Sequence, residues 1–132
     1  MKLLALLRSK NRALSRLIEL TSALVLRLQS SDWNILSEML DSRESMVKAL
    51  ELFNRDIERL SQTDLEIELM DLNTKKKAIE LISTSEEMKI KLRELDDVLV
   101  NLLEKEQLET QKEISKNKTF SQTVSKFKSS AR

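Results

Sequence analysis

The side chains of this sequence that could do chemistry are carboxylates, hydroxyls and amines, with 22 Asp and Glu against 23 Lys and Arg. Histidine and cysteine are both absent. Proton transfer near neutral pH therefore lacks its usual carrier, and thiolate chemistry and disulfides are excluded. The many serines have no residue of the kind that normally activates them. Glycine is absent too, so no glycine-rich loop can bring backbone N–H groups close to a phosphate. What remains is a carboxylate-only hydrolase or metal site. We rank an enzyme last and expect no metal and no cofactor.

The elements that would carry these groups are helices. The chain of 132 residues has no glycine and no proline, 34% charged residues and 3% aromatics. Tight hairpins and compact β-architectures lose their usual turn chemistry in such a composition, which fits long helices or a coiled coil. The expected fold class is all-α, an elongated antiparallel helical bundle or coiled-coil hairpin of three to four helices. No solenoid-type repeat is evident.

A first helix is expected over about 2–29, with the 3-4 stripe Leu3, Leu7, Leu14, Leu17, Leu24, Leu28. Lys10 and Thr21 are its polar interruptions. Gln29–Trp33 breaks it, and Ser31 or Asp32 is a good N-cap for the next helix. So short a link forces an antiparallel hairpin. Trp33 then plugs the end of the hairpin core, or else anchors a partner. The second helix, about 32–60, carries Leu36, Met39, Met46, Leu50, Phe53, Ile57 and Leu60, with Arg43 as its one polar member.

Ser61–Asp64 is the next cluster of cap residues. Segment 64–83 reads as a third helix with a turn or kink at Asn73–Lys77. The Lys75–Lys77 run reads as solvated and not as a nucleic-acid site. Ser83…Glu86 and Thr84…Glu87 form two overlapping capping-box patterns. They start a fourth helix over 84–115, or lie on the outside of one running straight through. Its stripe is Leu81, Met88, Leu92, Leu95, Leu99 and Leu102. Residues 1–115 read as a single helical domain. The remaining 116–132 is a basic tail in which only Phe120, Val124 and Phe127 keep helical spacing. Those three make either a disordered tail or a short helix docked on the groove a partner would use, an autoinhibitory arrangement.

Charge is balanced overall, at +1, but segregated. Residues 1–30 hold Lys2, Arg8, Lys10, Arg12, Arg16 and Arg27 against Glu19 alone, and 116–132 hold Lys116, Lys118, Lys126, Lys128 and Arg132 and no acid, so the middle is acidic. Such a pattern favours ends folded onto the middle or acidic partners. The opening Leu3–Leu7 run is too short for a secretory segment, which needs about 7–15 apolar residues before its cleavage site. A cytoplasmic protein without membrane insertion is expected. Leucine stripes beyond what a thin bundle can cover become partner grooves or a homodimer seam. Met39, Met46, Met70 and Met88 are core fillers first, and a repacking client face second.

The stretch Leu20–Leu36, a leucine helix ending in Ser30-Ser31-Asp32-Trp33 and followed by a Leu-rich helix continuing Asp41-Ser42-Arg43-Glu44-Ser45-Met46-Val47, resembles the first hairpin of FliT-type flagellar export chaperones. Leu95-Asp96-Asp97-Val98-Leu99-Val100-Asn101-Leu102-Leu103-Glu104-Lys105-Glu106-Gln107-Leu108 looks like that family's late helix, an Asp/Asn pair, two leucine pairs and then a glutamine-rich stretch. The resemblance spans most of the chain, except 61–80. It implies a cytoplasmic chaperone of type III secretion that binds the C-terminal helical region of the filament-cap protein, keeps it soluble and hands it to the export apparatus. Chaperones of hook–filament junction proteins are similarly built and give the alternative client. By the same resemblance the client face is Leu95, Val98, Leu99, Leu102 and Leu103. The rival from another class is a self-assembling structural coiled coil without a client.

Overall fold

A computed structural model describes residues 2–62, 70–113, 124, 125 and 127. The described residues contain three long helices and no strand: α1 (Lys2–Gln29), α2 (Leu36–Gln62) and α3 (Leu72–Glu113). The all-α bundle expected from the composition is what forms.

α1 ends as a Schellman motif. Asp32 N–H donates to the Arg27 carbonyl at 2.9 Å and Ser31 N–H to the Leu28 carbonyl at 3.1 Å. That motif needs a left-handed residue, usually glycine, at its hinge. Here Ser31 takes the role with φ at 60°. Neither Ser31 nor Asp32 therefore caps α2. Asp32 Oδ1 accepts from Asn34 N–H, Leu36 N–H donates to the Trp33 carbonyl, and the first full helical bond runs from Met39 N–H to the Ile35 carbonyl. α2 starts at Leu36 and not at 32 because the local turn bonds of residues 30–35 outcompete the helix. Ser31→Gly should raise stability by up to about 1 kcal/mol, since a Cβ in the left-handed region costs about that much; urea unfolding of the two chains checks it.

The third and fourth helices expected over 64–83 and 84–115 are replaced by one continuous helix from Leu72; residues 64–69 lie outside the described part. Asp71 is its N-cap, with Oδ1 accepting Thr74 N–H at 2.7 Å. That hydrogen bond holds the Asp71 carboxyl below the usual carboxylate range. Asn73–Lys77, expected as a turn or kink, is the first part of α3. The two capping boxes cap nothing: Thr84 Oγ1 donates back to the Glu80 carbonyl and Ser85 is buried. At 42 residues, α3 runs for about 63 Å.

α1 is the shared partner, packed on both α2 and α3. It runs antiparallel to α2 and parallel to α3, so the core falls into three apolar layers. The first holds Leu3, Leu4, Leu7 and Ala78, with Ile57, Met70 and Leu81 against them. The second holds Leu14, Leu17 and Leu50, with Met46, Met88 and Leu92 among its flanks. The third, at the turn end, joins Leu24, Val25 and Leu28 to Leu36, Leu40, Leu99 and Leu103. The Met side chains thus lie within or beside the layers, as gap-fillers do.

The polar members of the α1 stripe mark the joints between layers. Between the first and second, Asn11 Nδ2 donates to the Leu81 carbonyl at 3.0 Å. Lys10 sits beside Lys89 there, and burial first, then that second ammonium, lower its pKa. Between the second and third, Thr21 is fully buried with its hydroxyl donating to the Leu17 carbonyl at 2.8 Å. A buried hydroxyl whose acceptor lies one turn back costs little, which lets the stripe tolerate it.

Candidate protein-binding groove

At the turn end the third layer receives two further side chains. Val124 and Phe127 are buried against Leu99 and Leu103 of α3 and Leu36 and Leu40 of α2, with Trp33 packed alongside. Trp33 does close the hairpin end, as its position suggested. Phe120, the third apolar residue of the tail, lies outside the described residues. Val124 and Phe127 are docked against the bundle.

Arg43 is the polar centre of this groove. It is 2% exposed, and its Nη2 donates to Asp96 Oδ1 at 2.6 Å, tying α2 to α3. The guanidinium carbon also lies 4.7 Å from the centroid of the Phe127 ring, within cation–π range. Nε and Nη1 are buried without a hydrogen-bond acceptor among the described residues. Burial raises the Asp96 carboxyl above the usual carboxylate range, although Arg43 pulls it the other way. The short contact and the raised pKa point in opposite directions. Desolvation prevails over the Coulombic gain here, so the pair fixes geometry more than it stabilises. Arg43 entered the sequence reading as an interruption of a stripe and as a member of the resembling motif, with no ion-pair partner assigned. Its partner is 53 positions away, which no local spacing reveals.

The five residues nominated for client binding separate into three sets. Leu99 and Leu103 are fully buried in the third layer, so as the chain stands they serve the bundle and meet Val124 and Phe127, not a partner. Leu95 and Leu102 are half-buried. Val98 alone is exposed, at 41%. The reason is the α3 register: Leu99 and Leu103 are i,i+4 neighbours turned onto α1, while Val98 is rotated to the outside.

No family model, curated protein or solved structure matches this chain. The groove is therefore interpreted from its own chemistry. Among the described residues no group of acidic side chains could hold a metal ion, and no helix is long and apolar enough to cross a membrane. What the arrangement does is bury one apolar, aromatic-bearing segment over Leu99, Leu103 and Arg43. Sequence reasoning also missed a second surface. Leu72, Ile79, Ile82, Ile90 and Leu108 of α3 all stay exposed, Ile79 at 65%. Leu72, Ile90 and Leu108 are 18 residues, five full turns, apart and lie on one line along the helix. That signal was legible as a second apolar periodicity.

Proposed function

We propose that this protein is a cytoplasmic chaperone of flagellar type III secretion that holds the C-terminal helical region of the filament-cap protein before export. The observation that carries the reading is the docking of Val124 and Phe127 over Leu99 and Leu103. The tail occupies part of the late-helix face that the family resemblance nominates for the client, as an internal competitor would. Helix-in-groove recognition needs apolar anchors at helical spacing, and displacement of the tail supplies them without nucleotide chemistry. Release at the export apparatus then follows by competition, since whatever binds the freed face shifts the equilibrium by mass action. Hook–filament junction proteins are the alternative clients.

Co-expression with the filament-cap protein and with hook-junction proteins tests the proposal. A stable complex with one of them on size exclusion is the expected result. A chain that elutes alone beside every one of them would sink it. The exposed line on α3 favours a second reading, a self-assembling coiled coil. Two α3 helices paired antiparallel about Ile90 would set Leu72 of each copy opposite Leu108 of the other. A homodimer that ignores all clients is the outcome that would select it.

A further inference from the structure

The outer side of the α1–α2 hairpin carries a groove separate from the tail site, whose floor includes Ala13 and Met46 from the flank of the second core layer. Two open clefts of about 490 and 310 Å³ lie along it, and no α3 residue lines either. The first has a floor of Ala13, Met46, Ala49 and Phe53 between Arg12 and Arg16. The second is floored by Leu6 and Leu60, with Lys2, Arg59 and Asp56 around it. The spacing lines the two clefts up end to end as a trench. Leu6, Ser9, Ala13 and Arg16 recur at three and four residues on α1, as do Met46, Ala49, Phe53, Asp56 and Leu60 on α2. Over some 14 residues of each helix the trench runs for about 20 Å, or four helical turns.

We infer that this trench is a docking surface for an acidic amphipathic helix of another protein. Its floor is apolar and shallow, because Ala13 and Ala49 leave room for large side chains from the opposite side. A fourth helix laid there would complete a bundle around α1 and α2 in the ordinary helix-in-groove manner. Charge selects the occupant. The lining residues include four basic side chains, Lys2, Arg12, Arg16 and Arg59, and one acid, Asp56. Arg12 and Arg16 are exposed, and neither is in an ion pair with any described carboxylate. Glutamates flanking an apolar stripe would meet them, whereas a basic helix would be repelled. A nucleic acid fits less well: the trench floor is aliphatic but for Phe53, and strand binders need a row of stacking aromatics. The trench lies at the end of the bundle opposite Val124 and Phe127, so a partner here and a client there can be bound together.

A display library tests the assignment, using helices of about 18 residues with a fixed leucine stripe and randomised flanks. Selected on the full chain, it should enrich Asp and Glu at the flanks. The Arg12→Glu/Arg16→Glu chain should invert the preference to Lys and Arg and weaken the original winners at least about tenfold. Lys91→Glu/Arg93→Glu, exposed on α3, should change neither. The proposal is overturned if no charge preference emerges, if it survives the Arg12/Arg16 reversal, or if the α3 control abolishes it as well. Displacement of the winners by a single-stranded oligonucleotide at physiological salt would assign the trench to nucleic acid. Loss of self-association in the Arg12/Arg16 variant, with no peptide enriched on either chain, would assign it to a second copy.

Discussion

Phe127→Ala will open the tail and, on the chaperone function proposed above, raise client capture. The ring is 2% exposed and Val124 1%, so both are core side chains in all but their distance along the chain. Truncating a buried phenylalanine costs about 3–5 kcal/mol. Lost from a latch and not from the whole bundle, even 3 kcal/mol multiplies the open population by more than about a hundredfold. Leu99 and Leu103 then face solvent. Trp33 belongs to the same layer and reports the change directly: its emission should shift to the red, dye binding should rise, and pull-down of the filament-cap protein should strengthen. The first and second layers hold none of the described tail residues, so helical content should stay as it is. Unchanged Trp33 emission together with unchanged capture would show that the tail is a structural prop and not a competitor.

The second large effect belongs to Arg43. Arg43→Ala should cost about 3–5 kcal/mol, because it strands the Asp96 carboxylate in a half-buried apolar site. Replacing both partners, as Arg43→Met with Asp96→Leu, should be neutral or stabilising by as much as about 1–4 kcal/mol, with Met filling the space beneath Phe127. The pH dependence follows from the raised Asp96 carboxyl. A group whose folded-state pKa is raised contributes stability below its ordinary value, here 3.8, and loses it as pH climbs through the raised value. The double variant has no such loss. Its advantage over the parent should therefore grow between pH 3 and pH 7 in urea titrations. A gap widest at pH 3 would mean that attraction to Arg43, not burial, governs Asp96.

The leucine stripe of α1 made its bounds legible to the residue, since nothing along 2–29 competes with a helix there. Boundaries failed where side chains could bond locally in two ways. Asp32 has the chemistry of an N-cap but sits at the end of the Schellman turn that finishes α1. Ser83, Thr84 and Ser85 have the chemistry of a helix start, yet a cap forms only where the chain is already bent, and packing on α1 keeps α3 straight. At the site, the tail's docking was open between two readings because Val124 and Phe127 alone are too few to fold without a receptor. The receptor is built from Leu36, Leu40, Leu99 and Leu103 on two distant helices. The Arg43–Asp96 pair was illegible for the same reason: its information lies in tertiary register, which periodicity does not encode.

The parallel course of α1 and α3 also sets an order in time. α2 meets α1 across the six-residue turn of Ser30–Ile35, whereas Asn11 reaches Leu81 over a separation of 70. Closing the longer loop costs about 2 kcal/mol more in chain entropy. The hairpin therefore nucleates first, with the α3-facing side of α1 uncovered, and α3 condenses on it afterwards. Substitutions at the hairpin contacts act mainly on the rate of folding, and those at α1–α3 contacts on the rate of unfolding.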